Sequence, residues 1–184
     1  MTRRQSLWIA ALSSALVTLS AVSRAAFSSA SDPHVTFDAA GPAGFKIEGT
    51  TPDLVVTEAD GNIVCTVALA NLTTGISIRD HHMREKYLEI AKYPSAVLTV
   101  SRSALHLAAP GGQADGDVPG TLSLHGQTRP VTVHYSAKGD GAAFATQGKL
   151  HINMNDFGIS VPSYLGVTVK PDVDVTATFR AIGN

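Results

Sequence analysis

Apolar and polar residues alternate with a period of two over much of the chain beyond residue 34, the pattern of strands with one face buried. Val35 and Phe37 alternate with His34, Thr36 and Asp38; Phe45 and Ile47 alternate with Lys46 and Glu48. Leu54 to Thr57 is a short apolar run that ends before Asp60-Gly61, a strong hairpin signal. Ile63, Cys65, Val67 and Leu69 then share one face of a further strand. More strands are expected over 96–104, 120–125, 131–137, 143–154 and 173–181. Turns are expected at Pro110-Gly111-Gly112, Asp115-Gly116, Val118-Pro119-Gly120, Gly126, Gly139-Asp140-Gly141 and Lys170-Pro171-Asp172. One stretch breaks the alternation. From Asp80 to Ala91 the apolar Met83, Tyr87, Leu88 and Ala91 recur at helical spacing, so a short amphipathic helix is expected over about 80–91. Asp80 is placed to cap it and Tyr93-Pro94 to stop it. Many short strands with one helix predict an all-β sandwich or barrel.

The first 25 residues lie outside that pattern. Arg3 and Arg4 precede an apolar run from Leu7 to Val22, and Ser23-Arg24-Ala25 supplies a small-x-small cleavage step, the arrangement of a secretory signal peptide. The expected division is a signal peptide over 1–25, a flexible lead-in over 26–33 and one barrel domain over 34–184, with the mature protein exported to the periplasm. Removing the leader takes three arginines and no acid, so 14 basic groups fall to 11 against 15 acidic ones. A nucleic-acid partner is thereby excluded, because phosphate neutralisation needs a basic face. The lone Cys65 has no internal partner for a disulfide, so stability must come from the core.

Candidate chemistry is sparse. Seven histidines invite a metal site, but no HxH or HxxxH spacing occurs, and His81 and His82 are adjacent, which points them apart on a helix. A serine elbow and a phosphate loop are both missing from the sequence, and Cys65 lies in mid-strand among aliphatic residues, where a thiol is inert. The expectation is therefore a non-enzyme with no metal and no cofactor. What remains is the apolar inventory of the strands. A closed eight-stranded sheet has an interior that is either filled by side chains or holds one small ligand. Phe45, Ile47, Ile63, Cys65, Val67, Leu69, Leu98 and Val100 would line a lumen in the second case and form an ordinary core in the first.

Three ordered motifs carry a family resemblance. The segment Asn71-Leu72-Thr73-Thr74-Gly75-Ile76-Ser77-Ile78-Arg79-Asp80-His81-His82, followed by Lys92-Tyr93-Pro94, resembles the T-G, R-D-x-H and Y-P signature of the YceI-like family. Gly120 to Val131 is similar to its G-x-L-x-x-x-G-x-T-x-P-V hairpin, and Asp156-Phe157-Gly158-Ile159 to its D-F-G-I step. The resemblance implies an antiparallel, lipocalin-like β-barrel of about eight strands, exported to the periplasm, that sequesters an amphiphilic isoprenoid lipid of polyprenyl or quinone type. It implies a rim at Arg79, Asp80 and His82, with Met83, Tyr87 and Leu88 closing one end of the barrel. It also implies a transient membrane or cytochrome b561-type partner. Two rival readings stay open: a filled barrel serving a membrane electron-transfer system, and a histidine-based metal-dependent enzyme.

Overall fold

The computed structural model describes residues 28–41, 44–106, 111–140, 143–164 and 167–182. The expected leader over 1–25 and the turn residues Pro110 and Gly141 lie outside them. Among the described residues, eleven strands and one short α-helix follow in chain order. The first strands are β1 (Ser28–Ala40), β2 (Lys46–Thr51), β3 (Leu54–Ala59) and β4 (Asn62–Ala68). The helix α1 (Ser77–His82) runs on into a π-helical turn (Met83–Tyr87). After it come β5 (Ser95–Ser101), β6 (Gln113–Leu124), β7 (Gln127–Asp140) and β8 (Ala143–Asn153). The small hairpin β9 (Ser163–Tyr164) and β10 (Val167–Thr168) precedes the last long strand, β11 (Asp172–Ile182).

Nine strands form one curled antiparallel sheet in the order β2-β1-β11-β8-β7-β6-β5-β4-β3. Its two edge strands are consecutive in the chain. Residues 46–59 act as one long strand bent at Pro52-Asp53: the first half pairs with β1, Val35 opposite Thr51, and the second half pairs with β4, Leu54 opposite Val67. The bend joins the two sheet edges, and with β2 and β3 counted as one interrupted strand the curl has eight staves, the number expected. The corner is tied down. Asp53 N–H donates to Thr51 Oγ1, Asp53 O accepts from the Ala68 amide, and Asn71 Nδ2 donates to Asp53 Oδ2 at 2.7 Å. Thr51 is fully buried there.

Tight hairpins close the other corners. Asp60-Gly61 and His125-Gly126 both take positive φ, as the primed two-residue turn requires. At Gly126 no side chain is tolerated on two counts: φ is +72°, and a Cβ would lie 2.6 Å from the Tyr93 ring.

Several expectations are corrected by the structure. Asp115-Gly116 and Val118-Pro119-Gly120 are not turns but lie inside β6. Those glycines serve close packing: a Cβ on Gly120 would lie 3.0 Å from Thr99 O, and Gly116 faces the Tyr135 ring. Pro119 follows the same logic, standing just past the last β5–β6 pair, where one edge of β6 is open. The stretch expected as a lead-in already contributes strand from Ser28, with bulges around Ser31. The strand expected to reach Ala104 ends at Ser101 in a 3₁₀ turn, Arg102–Ala104. The helix starts three residues earlier than expected and ends at the π turn, leaving Ala91 outside it and exposed.

Candidate functional site

Every strand of the curl turns an apolar row inward, and those rows do not merge into one core. They form three clusters. The first gathers Leu69, Leu72, Leu122, Leu124, Ile152 and Phe157 at one end of the barrel. The second is built on Val35, Leu54, Val56, Ile63 and Phe179, and the third on Val100, Val118, Val133 and Tyr135. The residues that bridge the clusters are the ones left half-buried. Val67 and Val175 touch the first and second, Leu98 and Val131 the first and third, and none of the four is closed off from solvent. With Phe37, Ile47, Cys65 and Leu150 they make an apolar belt around the inside of the sheet. Protein interiors are normally packed to crystal density. The belt is therefore less tightly enclosed than the clusters it joins.

Small residues stand beside that belt. Gly148 and Ala177 oppose each other on β8 and β11, and Gly49 lies under the Phe37 ring, whose Cε1 would be 2.2 Å from a Cβ at that position. The ring is therefore laid flat against β2 instead of projecting across the lumen. Cys65 belongs to the same belt, opposite Val56 and Leu98, and burial pushes its thiol up to about 11. It is a wall residue with little thiolate at neutral pH.

The end formed by the first cluster is capped. Segment 69–94 crosses it, with Met83, Tyr87, Leu88 and Ile90 packed on the cluster. Its start is locked by Asp80, which is not the helix cap expected from sequence but sits in the first turn and reaches backwards. Its Oδ2 accepts from Thr73 Oγ1 at 2.6 Å, and its Oδ1 from the Thr74 amide at 2.7 Å and the Thr74 hydroxyl. Burial opposes ionisation of Asp80. The Thr73 and Thr74 hydroxyls, the Thr74 amide and the charge of Arg84 outweigh it and hold the carboxyl below its ordinary range. Arg79 completes the knot by donating to Thr74 Oγ1 at 2.7 Å and Thr74 O at 2.9 Å. The T-G and R-D steps are thus one hydrogen-bonded unit, and the polar groups of Arg79 and Asp80 are engaged within it.

The far side of the cap is held by His125. Its Nε2 lies 2.8 Å from Glu89 Oε2 and its Nδ1 3.1 Å from Phe157 O, with the Tyr93 ring edge-on at 4.6 Å. Both ring nitrogens face acceptors. Glu89 and His125 each hold a positive φ, of 46° and 50°, to meet there. This latch ties the cap to the β6–β7 hairpin and to the Asp156-Phe157-Gly158-Ile159 step.

The other site residues expected from sequence are placed as follows. Ile47, Cys65, Val67 and Leu98 lie in the belt; Ile63, Leu69 and Val100 are buried in the clusters beside it. Phe45 precedes β2 and is 59% exposed, so it lines no part of the interior. His82 is exposed next to His81. Sequence reasoning missed Phe37, Val131, Leu150 and Val175 of the belt, although the same period-two alternation carries them. It also missed the Glu89–His125 latch, which has no local signal because its partners are 36 residues apart.

The remaining histidines do not converge. His134 pairs with Asp117 at 2.8 Å, and His151 with Asp174 at 2.8 Å, on the outer face of the sheet. The Asp174 hydrogen bond is the main cause that raises the His151 pKa, with burial opposing it and the charges of Asp174 and Asp172 adding to it. Among the described residues no three metal-ligating side chains come together. Two depressions of about 390 and 300 Å³ are lined mainly by polar residues of β6, β7, β8 and β11; the first reaches the buried Ala137 and Phe179, and the second reaches Leu150 and Val175 of the belt.

Comparison with known proteins agrees with the architecture. Residues 23–181 match the YceI-like domain. A UPF0312 protein of Pseudomonas syringae pv. tomato is 32% identical over 156 residues, covering 79% of this chain and 67% of its own length. Among solved structures, a polyisoprenoid binding domain from Saccharophagus degradans implicated in plant cell wall breakdown superposes with a TM-score of 0.72 at 19% identity, over 88% of this chain and 99% of that one. BcnA of Burkholderia cenocepacia superposes with a TM-score of 0.63 at 18% identity, over 80% and 95%.

Proposed function

The chain belongs to the YceI-like domain family, and from that premise we propose that it is a periplasmic carrier that sequesters an amphiphilic isoprenoid lipid, of polyprenyl or quinone type, in the apolar belt. The observation that carries this reading is the half-buried belt between three packed clusters. A polyprenyl tail needs a dry, elongated slot with no polar partner, because each buried CH₂ contributes about 0.8 kcal/mol without any directed contact. Val67, Leu98, Val131 and Val175 offer such a wall, and Phe37 folded over Gly49 keeps it clear. The solved polyisoprenoid binding domain supports the ligand class by its likeness of fold. The work done is binding, with no bond made or broken.

The reading accounts for the inert placement of Cys65 and for the cap. A lipid store must exclude water from the tail, and segment 69–94 closes one end over it. Native mass spectrometry of protein purified from its own host, followed by solvent extraction, tests the proposal. A bound isoprenoid mass is expected. Empty protein that also takes up no added polyprenyl lipid refutes it.

A further inference from the structure

We infer that a slot in the barrel wall between β7 and β8 is a side entrance to the apolar belt, and that the polar depression over it seats the neutral head group of the amphiphile. The inference rests on the carrier reading and adds where the ligand enters and which head it bears. β7 and β8 pair only from Asp140 opposite Ala143 to His134 opposite Lys149. Both strands run on past that last rung, β7 back to Gln127 and β8 forward to Asn153, with no further rung between them. Each stays paired on its other side, Val131 with Gly120 of β6 and Leu150 with Val175 of β11, so the strands part without fraying. Pro130 favours the parting, because it has no N–H for a rung and proline belongs on open strand edges. The gap is fastened again beyond it: Arg129 Nε donates to Asp156 O at 2.9 Å, and His125 Nδ1 lies 3.1 Å from Phe157 O. A break in the ladder held at both ends is a slot.

The two sides of the slot suit the two ends of an amphiphile. Val131 and Leu150 at its edges belong to the belt and stay half-buried, and the gap beside them gives water its access. Their chain neighbours alternate to the outside. Thr132 and His134 of β7 and Lys149 and His151 of β8 line the depression of about 300 Å³, which reaches Leu150 and Val175. A tail can lie on the belt while its head stays among those polar groups. Among the described residues Thr132, Lys149 and Thr176 form no side-chain hydrogen bond, which leaves one cation and two hydroxyls for the oxygens of a ligand. The two carboxylates, Asp117 and Asp174, lie 2.8 Å from His134 and His151 respectively. Against a single lysine they repel a diphosphate, whereas an alcohol or a carbonyl is accepted.

Bridging the slot tests this. In a Cys65→Ala background, Thr132→Cys with His151→Cys sets thiols on its two banks, and a short bismaleimide joins them. Ser136→Cys with Gln147→Cys, directly paired on the intact ladder, is bridged as the control. Uptake of a polyprenyl alcohol, followed by native mass spectrometry, should slow severalfold on bridging the slot and stay the same on bridging the control. Wild-type protein should take the alcohol in preference to its diphosphate, and Asp117→Asn with Asp174→Asn should narrow that preference. Unchanged uptake after bridging the slot, or equal slowing in the control, overturns the side entrance and leaves the carrier reading standing. A preference for the diphosphate overturns the head site. No uptake by the wild type overturns the carrier reading and this inference together.

Discussion

Tryptophan placed at Ile63 and at Val67 should have opposite effects, although the two positions lie on the same face of β4 four residues apart. Ile63 is 5% exposed and packs with Val56, Leu54, Phe179 and the fully buried Ala181. An indole cannot enter that cluster without moving neighbours, and overpacking costs about 1–3 kcal/mol. For a domain of this size each kcal/mol lowers Tm by roughly 2–4 °C. Ile63→Trp should therefore melt roughly 2–12 °C lower. Val67 faces Ala96 on β5, whose small side chain leaves space, and its inner surface opens on the belt. Val67→Trp should keep its fold and lose less stability than Ile63→Trp, because the belt offers the indole room that the packed cluster does not. The indole then occupies the volume of the tail. Thermal unfolding by circular dichroism and uptake of an added polyprenyl lipid by native mass spectrometry measure the two halves. Equal destabilisation of both variants, or full lipid uptake by Val67→Trp, would refute the open belt.

Three other outcomes follow from the cap and the wall. Asp80→Asn removes an acceptor from a buried knot and sets an NH₂ against donors, and should cost about 1–3 kcal/mol in urea titration; because the folded Asp80 pKa lies below its unfolded value, the wild-type advantage should be full above about pH 4 and vanish as pH falls through the folded pKa. Gly126→Ala strains a left-handed turn and drives a methyl into Tyr93, so it should unfold at lower urea than Gly111→Ala, which strains a left-handed φ with no neighbour within 4 Å. Cys65, with its thiol near 11 against 9.0 for an ordinary one, should react with a disulfide reagent at pH 8 about a hundredfold more slowly in native than in unfolded protein. Equal rates would contradict its place in the wall.

How much of this was legible in the sequence depends on how local each feature is. Strand rows such as Val173-Val175-Ala177-Phe179 are local, because alternation records which face is buried. The helix was displaced because Met83, Tyr87 and Leu88 mark only its packed face, whereas its start is set by a carboxylate reaching back to Thr73 and Thr74. Turn residues misled inside β6: glycine and proline report tight approach and an open strand edge as readily as a turn. The lumen residues were legible as a row, but not which members are buried. Val67 and Ile63 have the same alternation, and only the curl, closed by the bend at Pro52-Asp53, packs one and leaves the other open. The His125 latch depends on three segments far apart in the chain, and no spacing rule encodes it.

The most direct test is methyl NMR on protein carrying labelled Ile, Leu and Val side chains, titrated with a polyprenyl lipid. The account predicts shifts at Val67, Leu98, Val131, Leu150 and Val175, with Val118, Ile152 and the outward Val55 unmoved. Shifts confined to surface methyls, or none at saturating lipid, would contradict it.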